Sequence, residues 1–599
     1  MRMTRPLIAL VAVALCATHS LAQPAPRPQQ LPDELLPRPA LEKLYAAEVP
    51  GYDPARYEAL YQAHVWVEKY FLTDSAEDRG AIVKALEKAE ISPAAVAGLC
   101  RIRLGWAPVP AGVAYVWEGT GAHEVQYFLG LPKDYDRTKS WPLTIRLPAL
   151  SALVADPAKM PTQDDVVRMY SEWVQDELSR HPDAVVIMPR LNLDEFYGPS
   201  LKGMNTVIQA MHHVAGKVNI DPARVYLFGH GMGAHAAWNL ALHYPTYFAA
   251  INPMAGAASG DWQRVRLLNL RNTLPVVWHD TTDKVINSGH SGALVSVLKN
   301  FKYDVVFEQT RNVGHVPTAE VVEKLYAAAR ARVRELYPTQ VNLRSTRPDP
   351  TFNRVDWVQV YQPLVPGAEK RLNLRKGTGP IVLNENAHTV QAQITGPNKI
   401  EAKTDNVLTM RFYLSQHMVD LAKPVTVIVN GKTRFEGMVK ASVADTLRDQ
   451  VFLGRGWRDY TAVLDIDLAP KSGTPATTRA TTGPATRPVP TVSTTSPSGK
   501  LFFTNDDGKT WFAAPADSRA PFTHEGKQAY RAHVFSVDGG KTPFVAYLSK
   551  YSPIAGETLV RRPGVMIWAP VSSATGVDVI AVKGPGPKDA GKVAVEVFP

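Results

Sequence analysis

The sequence predicts an α/β fold at the centre of the chain: a mostly parallel sheet covered by helices, with a helical region before it and two β domains after it. Three patterns carry this prediction. Apolar residues recur at helical spacing over 41–103, strand-like and helix-like segments alternate over 113–336, and strand patterns replace helical ones after Tyr337. With 599 residues, the chain exceeds what one hydrophobic core holds, so several domains are expected.

The start of the chain has the pattern of a secretory signal peptide. A basic beginning precedes a short apolar run over 7–16, and small residues follow at 20–22. We expect cleavage after Ala22 and a secreted or periplasmic protein. The apolar run is too short to span a bilayer, so no stable membrane span is expected. Cleavage leaves Cys100 as the only cysteine and therefore no disulfide within the chain.

Composition excludes some classes of function. Hydrophobic residues make up 45% of the chain and charged residues 20%, which is typical of globular domains. The net charge is +10, but the sequence has no Lys/Arg run interleaved with aromatic residues, so nucleic-acid binding is not expected. No metal-binding, P-loop or dinucleotide motif is present, so we expect neither a metal nor a cofactor.

The patterns divide the chain into six parts. We predict a signal peptide at 1–22, a helical N-terminal region at 23–112, an α/β domain at 113–338, a β-sandwich-like domain at 339–469, a Ser/Thr/Pro-rich linker at 470–499 and a small β domain at 500–599.

The elements of the α/β domain follow from its apolar segments. An antiparallel hairpin enters at 113–117 and 125–131, and repeated strand–helix units then imply parallel strands with helices on both faces. Further strands are predicted at 143–147, 184–188, 225–228, 248–254, 275–278 and 305–308. Helices are predicted at 164–180, 204–214, 291–301 and 320–336, and one more follows the segment 229–233.

The segment after Tyr337 is predicted to be all-β and to end near Leu468. Asn430-Gly431 is a strong signal for a two-residue hairpin turn between two of its strands. Its strands are predicted at 356–361, 389–394, 408–413, 425–429 and 433–439.

The linker at 471–499 is almost entirely Ser, Thr, Pro, Ala, Gly and Arg, a composition that cannot bury enough apolar surface to fold. We therefore expect limited proteolysis of the full chain to cut there first and to release a folded fragment that begins near Lys500. Gel electrophoresis with N-terminal sequencing checks this. Early cuts within 113–337 would contradict the predicted boundaries.

A short motif lies in the last domain. Thr504-Asn-Asp506-Asp-Gly508-Lys-Thr510-Trp511 resembles the Asp-box hairpin of sialidase-like propellers and other β proteins. In those families the motif is structural, and one copy does not define a propeller. We interpret it as a turn.

The most informative segment joins an apolar strand at 225–228 to an Ala-rich helix. Between them stands Gly229-His230-Gly231-Met232-Gly233, the strand–turn–helix setting of the G-x-S-x-G nucleophile elbow. The outer glycines allow helix and strand to pack closely. The central position, where the serine is expected, is Gly231.

Two later segments fit the same pattern. Trp278-His-Asp-Thr-Thr-Asp283 follows a late strand, and Asn312-Val-Gly-His315 follows the next. The order elbow, acid, histidine resembles that of the secreted α/β-hydrolase superfamily, in its esterase, prolyl-oligopeptidase-like and polyhydroxybutyrate-depolymerase-like branch. The resemblance covers about 113–337. It implies that His315 is the general base and Asp283 its orienting acid, with Asp280 as the rival acid.

The chain departs from this family twice. Gly231 has no hydroxyl to attack a carbonyl. The segment that relatives use for the oxyanion contains Pro148, which lacks an N–H, and Ala149, which lacks the torsional freedom of glycine. The resemblance places the oxyanion donors at the backbone amides of Met232 and Ala149.

Other serines and histidines lie near the elbow or in neighbouring loops. None of the serines lies at a strand-to-helix turn. His230 occupies the first x of the G-x-S-x-G motif, and in relatives the histidine at that position is not catalytic. These residues are Ser151, Ser259, Ser288, His230 and His235.

Two interpretations stay open. In the first, the chain is a non-catalytic protein that binds a small-molecule ester, peptide or polymer ligand. In the second, it is an ester or peptide hydrolase that uses Asp283, His315 and a relocated nucleophile.

Overall fold

The structure, a computed structural model, describes 35–469 apart from gaps at 107–110, 119–123, 150–161, 191–200, 258–263, 347–351, 366 and 373–380, and describes 500–597 apart from 516–517, 519, 537, 539–540, 553–556, 564–568, 571–578 and 580–594. The predicted signal peptide and the predicted linker therefore lie outside the described residues.

A sheet of eight strands forms the centre of the chain, in the order β1-β2-β4-β3-β5-β6-β7-β8. Strands β1 and β2 pair antiparallel, as predicted for the hairpin, and β2 pairs antiparallel with β4. The other strands are parallel. The strands are β1 (Gly112–Glu118), β2 (Val125–Leu131), β3 (Trp141–Leu147), β4 (Val185–Pro189), β5 (Ile220–His230), β6 (Ala250–Met254), β7 (Leu274–Asp280) and β8 (Val306–Thr310).

Helices cover both faces of this sheet because successive side chains of a buried strand point to opposite sides. Tyr226 and Phe228 of β5 pack in one apolar cluster with Tyr326, whereas Val225 and Leu227 belong to the main core on the other face. The sheet thus has a core on each side. The helices that follow its strands are α5 (Gln163–Arg180), α6 (Leu201–Lys217), α7 (Met232–His243), α8 (Gly289–Asn300) and α9 (Ala319–Arg330).

The last of these helices is shorter than predicted. Helix α9 ends at Arg330, although the sequence pattern extends its prediction to 336. The reason is tertiary: the Arg334 amide donates to Ala223 O at 2.9 Å, and its guanidinium donates to Asp356 at 2.6 Å. A buried ion pair therefore draws the chain out of the helix at this point.

Four helices precede the sheet and pack around their own apolar cluster. Cys100 is buried in it, and burial raises the pKa of its thiol to about 12, so this cysteine is unreactive at neutral pH. Ser92 caps the last helix by accepting from the Ala95 amide, and Pro93 takes its first position. The helices are α1 (Arg38–Glu48), α2 (Tyr57–Leu72), α3 (Ala76–Lys88) and α4 (Pro93–Arg101).

The segment after Tyr337 is not all-β, and that prediction is wrong. It contains α10 (Val443–Leu453), which is capped by Ser442 and packs its Val443 and Leu447 into the cluster of α1–α4. Asn430 and Gly431 both have positive φ, as a two-residue hairpin turn requires. The sequence prediction also lacks several strands that the structure contains, at Gln340–Ser345, Ala368–Leu372, Ile381–Glu385, Lys399–Asp405 and Ala462–Asp467.

Two sheets form the β part of this segment, in the orders β10-β11-β16-β19 and β18-β17-β15-β14-β9, and β12 pairs with β13. The strands are β9 (Gln340–Ser345), β10 (Arg354–Val355), β11 (Val358–Pro363), β12 (Ala368–Leu372), β13 (Ile381–Glu385), β14 (His388–Gly396), β15 (Lys399–Asp405), β16 (Val407–Leu414), β17 (Val425–Val429), β18 (Lys432–Gly437) and β19 (Ala462–Asp467).

The last part of the chain contains the Asp-box turn and a second copy of it. Asp506 accepts from the Thr504 hydroxyl at 2.8 Å and from the Thr510 amide at 3.0 Å. Asp538 is held in the same way by the Ser536 hydroxyl at 2.6 Å and the Thr542 amide at 3.0 Å. The first copy joins β20 (Lys500–Thr504) to β21 (Phe512–Pro515), and the second joins β23 (Lys527–Ser536) to β24 (Phe544–Ser552). The other strands are β22 (Phe522–His524), β25 (Glu557–Arg561), β26 (Ala569–Pro570) and β27 (Val595–Glu596).

No helix in the described part of the chain has the length and apolar character needed to cross a bilayer. Within the same residues, no group of three or more His, Cys, Asp or Glu side chains is arranged to hold a metal ion.

Candidate active site

Strand β5 passes directly into helix α7 through a sharp turn at Gly231. This residue has φ 55° and ψ −114°, a region that L side chains rarely adopt. Its amide donates to Met254 O at 2.9 Å, which ties the turn to strand β6. The conformation is one that glycine adopts without strain and that a serine would adopt only at a cost.

The two outer glycines are required by close backbone contacts. A Cβ on Gly229 would lie 2.1 Å from Gly233 O, and a Cβ on Gly233 would lie 2.0 Å from Leu147 O. Because both obstacles are backbone atoms, no side-chain rotation can relieve them. The G-x-G-x-G spacing therefore follows from the packing of α7 against β5 and the end of β3.

His315 lies beside the turn and contacts Asp283. Its Nδ1 is 2.8 Å from Asp283 Oδ2, and its Nε2 faces Gly231, since a Cβ added there would lie 3.2 Å from Nε2. The carboxylate accepts a hydrogen bond from Nδ1–H, which leaves Nε2 as the acceptor nitrogen of an uncharged ring. The structure thus brings Gly231, Asp283 and His315 together.

The Asp283 carboxylate is buried and ionised. Its Oδ1 accepts from the amides of Val285 at 2.7 Å and Ile286 at 3.1 Å. Burial acts to raise its pKa, but the hydrogen bonds from His315 and from these amides outweigh burial and hold the pKa of Asp283 below its ordinary value. Its negative charge is therefore available to orient an imidazole at neutral pH.

Asp280, the rival acid, has other partners. It accepts from the Thr282 amide at 2.8 Å, the Thr310 hydroxyl at 2.8 Å and the Val313 amide at 3.0 Å. Burial opposes these bonds, yet together they hold its pKa well below the ordinary value. Asp280 therefore shapes the two loops that carry Asp283 and His315, and of the two carboxylates Asp283 is the one that contacts the histidine.

His279 is a neighbour of the site that the sequence pattern did not single out. Its Nε2 lies 3.2 Å from Asp283 Oδ2 and 2.9 Å from Ile286 O, and its Nδ1 lies 2.7 Å from Ser291 Oγ. Ser291, His279 and Asp283 thus lie in one row of hydrogen bonds, and the Ser291 hydroxyl also donates to Gly256 O at 3.1 Å. It is fully buried, so the Ser291 hydroxyl cannot reach a substrate, and its role is to brace the Asp283 loop.

His230 and His235 flank the turn. His230 Nε2 bonds to the backbone oxygen of His315 at 2.9 Å, which fixes the histidine loop against the elbow. Burial lowers the pKa of both His230 and His235, so both rings stay neutral at physiological pH. Their positions indicate that the two histidines support the loop and do not transfer protons.

The predicted oxyanion positions lie on either side of the turn. Met232 is the first residue of α7, and an amide at that position has no carbonyl within its own helix to bond. Ala149 is buried and directs its methyl group at the elbow, 3.4 Å from where a Cβ on Gly231 would lie. Pro148 precedes it and has no N–H. This segment therefore offers an oxyanion fewer backbone N–H donors than a glycine-rich loop would.

A cavity of about 160 Å³ adjoins the elbow behind His230. Its walls combine apolar side chains with the guanidinium groups of Arg146 and Arg180 and the carboxylate of Asp176. Its lining includes Arg146, Trp173, Arg180, Met188, Phe228 and Met254.

Of the alternative nucleophiles, Ser151 and Ser259 lie outside the described residues. Ser288 stands directly before helix α8, and the structure gives it no contact with His315. Among the described residues, therefore, no serine hydroxyl within hydrogen-bond distance of His315 Nε2 takes the place of the absent elbow serine.

No family model matches the chain, and no curated protein matches it. Similar solved structures include a thermostable esterase (21% identity, TM-score 0.29, covering 36% of this chain and 62% of that one). They also include a dipeptidyl aminopeptidase IV candidate from Bacteroides ovatus (13%, 0.30, covering 37% and 35%) and esterase PE8 (16%, 0.25, covering 34% and 97%). The chain thus spans less than two thirds of the first two.

The strands and helices of the central domain determine its fold type without reference to other proteins. An eight-stranded sheet with two antiparallel entry strands, helices on both faces, a sharp strand-to-helix turn after β5 and a histidine loop after β8 make up the central domain. These elements define an α/β-hydrolase-type fold.

Proposed function

We propose that this chain is an exported α/β-hydrolase-type protein that does not perform serine-type acyl transfer, and that its former active-site cleft binds an ester, peptide or polymer ligand. The observation that carries the proposal is Gly231. It stands at the sharp turn between β5 and α7, its φ of 55° is one that a residue with a side chain adopts only under strain, and it offers no atom to attack a carbonyl.

The expected loss of catalysis is large. In triad enzymes, removal of the nucleophile costs on the order of 10⁶-fold in kcat, and what remains comes from binding and from oxyanion donors. Here the oxyanion donors are reduced as well, because Pro148 has no N–H and Ala149 points a methyl group at the turn. Two separate parts of the catalytic machinery are therefore altered.

The retained pair of Asp283 and His315 supports a role in binding. The imidazole is held by a charge-assisted hydrogen bond at 2.8 Å and stays partly exposed, with Nε2 as an acceptor. Such a group can accept a hydrogen bond from a ligand hydroxyl or amide. The adjoining cavity of about 160 Å³ supplies contact area for the rest of the ligand.

A fluorophosphonate probe tests this proposal. Labelling needs an activated hydroxyl beside a base. We therefore expect intact-mass measurement to show that the unmodified protein carries no label. Gly231→Ser places a hydroxyl next to His315 Nε2 and is expected to gain labelling and weak ester hydrolysis. His315→Ala in that background is expected to abolish both.

Gly231→Ala is the matched control, because it adds the same Cβ without the hydroxyl. Both variants are expected to be destabilised by about 1–3 kcal/mol, the cost of a side chain at φ 55°. Only the serine variant should be labelled. Stoichiometric labelling of the unmodified protein at any serine, lost in His315→Ala, would refute the proposal and favour a hydrolase with a relocated nucleophile.

A further inference from the structure

A tryptophan stands exposed at the end of strand β1. Trp117 is 60% exposed, whereas every other tryptophan that the structure describes is buried or half-buried. Large aromatic rings stabilise a fold or a complex mainly through the area that they bury. The exposed indole therefore offers a flat apolar face for a ligand to cover.

Hydrogen bonds hold this indole in one orientation. Its Nε1 donates to Glu124 Oε1 at 2.9 Å. The same oxygen accepts from the side-chain amide of Gln126, the residue directly opposite Trp117 in the antiparallel hairpin. A ring that is already fixed loses less conformational entropy when a ligand covers it, so the exposed face is organised in advance for binding.

Polar groups border the exposed face. Gln126 Oε1 accepts from Arg190 Nη1 at 2.7 Å and from the Tyr115 hydroxyl at 3.0 Å, so the amide is fixed at both ends. Glu124 Oε1 takes both of the bonds that reach this carboxylate, and its Oε2 has no hydrogen-bond partner among the described residues. One carboxylate oxygen is therefore free to accept from a ligand. We call Trp117, Glu124 and Gln126 the hairpin platform.

A row of packed aromatic rings supports the hairpin platform from below. Tyr115 lies beside Trp117, with ring centroids 6.4 Å apart, and stacks on Phe128 at 4.7 Å. Phe128 stacks on Tyr170 of α5 at 4.8 Å, and Tyr170 contacts Trp173 at 5.3 Å. Trp173 lines the cavity beside the elbow, so the platform and that cavity lie on the same face of the sheet.

The hairpin platform and the elbow lie at the same edge of the central sheet. Strand β1 runs in the same direction as β5, because β2 is antiparallel to both β1 and β4 and the strands from β4 to β5 are parallel. Trp117 and Gly231 follow, by three and four residues, the two ends of one row of paired residues, which consists of Ala114, Leu129, Ile187, Ile145 and Leu227. Four strand spacings, about 19 Å, separate the two ends of this row. A small ligand at the elbow therefore does not reach the platform.

We propose that the hairpin platform binds a sugar ring of a neutral glycan. A pyranose has a face of C–H groups and a rim of hydroxyls that both donate and accept hydrogen bonds. The C–H face stacks on Trp117, and a hydroxyl at the rim donates to Glu124 Oε2. No residue of the platform belongs to the elbow, so this proposal does not depend on the one made there.

The polar groups of the platform favour a glycan over two other polymers that stack on tryptophan. Both donors to Glu124 are neutral, so its charge stays uncompensated and repels the phosphates of a nucleic acid. A proline-rich peptide presents a flat apolar ring, but a proline residue carries no hydroxyl and no N–H to donate to Oε2. Of these three classes, a neutral glycan is the one that uses both the indole face and the free carboxylate oxygen.

Affinity electrophoresis of the full chain tests the proposal. Native gels are prepared without polysaccharide and with hydroxyethyl cellulose, dextran, galactomannan or xylan, and a protein that binds no glycan serves as the mobility reference. Migration is expected to be retarded by at least one of these polysaccharides, and its dependence on polysaccharide concentration gives the dissociation constant. Unchanged migration in all of the gels would overturn the proposal.

Two substitutions of the tryptophan separate stacking from other contacts. Trp117→Ala removes the stacking face and is expected to weaken binding about tenfold or more, whereas Trp117→Phe keeps an aromatic face and is expected to keep most of the affinity. Met438→Ala is the control, because Met438 is 58% exposed and lies in another part of the chain, and it is expected to bind as the unmodified protein does. Equal binding by Trp117→Ala and the unmodified protein would contradict the proposal.

Glu124→Ala gives a test that leaves the tryptophan in place, and circular dichroism checks the fold of every variant. This variant removes the acceptor and releases the indole N–H, so it is expected to weaken binding roughly tenfold. Unchanged binding would contradict the proposal. Retention of the unmodified protein on immobilised poly-L-proline, without retardation by any of the polysaccharides, would overturn it in favour of a peptide site.

Discussion

Gly233→Ala is expected to destabilise the central domain by at least about 3 kcal/mol, the upper end of what overpacking costs. The added Cβ would lie 2.0 Å from Leu147 O and 3.0 Å from Pro148 O. Both are backbone atoms at the end of β3, so either the strand or helix α7 must move. The movement also displaces the elbow, because Gly231 immediately precedes that helix.

Gly216→Ala is the matched control, and urea denaturation of both variants is the measurement. Gly216 lies in α6, and a Cβ there meets nothing within 4 Å. This variant is expected to gain about 0.5–1 kcal/mol, since alanine is the better helix former. Equal unfolding midpoints for the two variants would show that α7 does not pack on β3 as described.

Asp356→Asn is expected to cost about 3–5 kcal/mol, the loss seen when one partner of a buried ion pair is removed. Asp356 accepts from Arg334 at 2.6 Å and lies 3.7 Å from Arg458, and all three side chains are fully buried. Asparagine keeps the shape and tolerates the φ of 47° at this position. The two guanidinium groups would then be buried without this shared counter-charge.

Asp465→Asn provides the comparison for that variant. Asp465 pairs with Arg411 at 2.7 Å, but its side chain is largely exposed, so its loss is expected to cost less than about 1 kcal/mol. Chemical denaturation followed by fluorescence and by far-UV circular dichroism measures both. A cost for Asp356→Asn as small as that for Asp465→Asn would mean that the buried network does not hold the two regions together.

The features that the sequence predicted well are those whose causes are local. The elbow follows from three glycines at alternate positions, and the turn at Asn430 follows from two residues that accept positive φ. The placement of Asp283 and His315 follows from two short loops after adjacent parallel strands, which meet at one edge of the sheet.

The features that the sequence did not predict depend on distant partners. Helix α10 needs the apolar cluster of α1–α4 to cover Val443 and Leu447. Helix α9 stops at Arg330 because a later arginine turns inward to meet Asp356. The second Asp-box turn is an exception, because its cause is local: Ser536, Asp538 and Thr542 repeat the spacing of the first copy, and the sequence analysis missed it.

The position of His315 is set independently of residue 231, and this has a consequence for selectivity. Its ring is fixed by Asp283 and its backbone oxygen by His230, so an ordered acceptor nitrogen faces the cleft with no partner hydroxyl from the elbow. A ligand whose O–H or N–H donates to His315 Nε2 replaces the hydrogen bond with water that this nitrogen loses when the ligand binds. A ligand that presents a carbonyl leaves it desolvated and unpaired, which is disfavoured by about 1–3 kcal/mol. Under the proposed binding function, an ester, peptide or polymer ligand that also presents a free O–H or N–H at this point is expected to bind more tightly than one that does not.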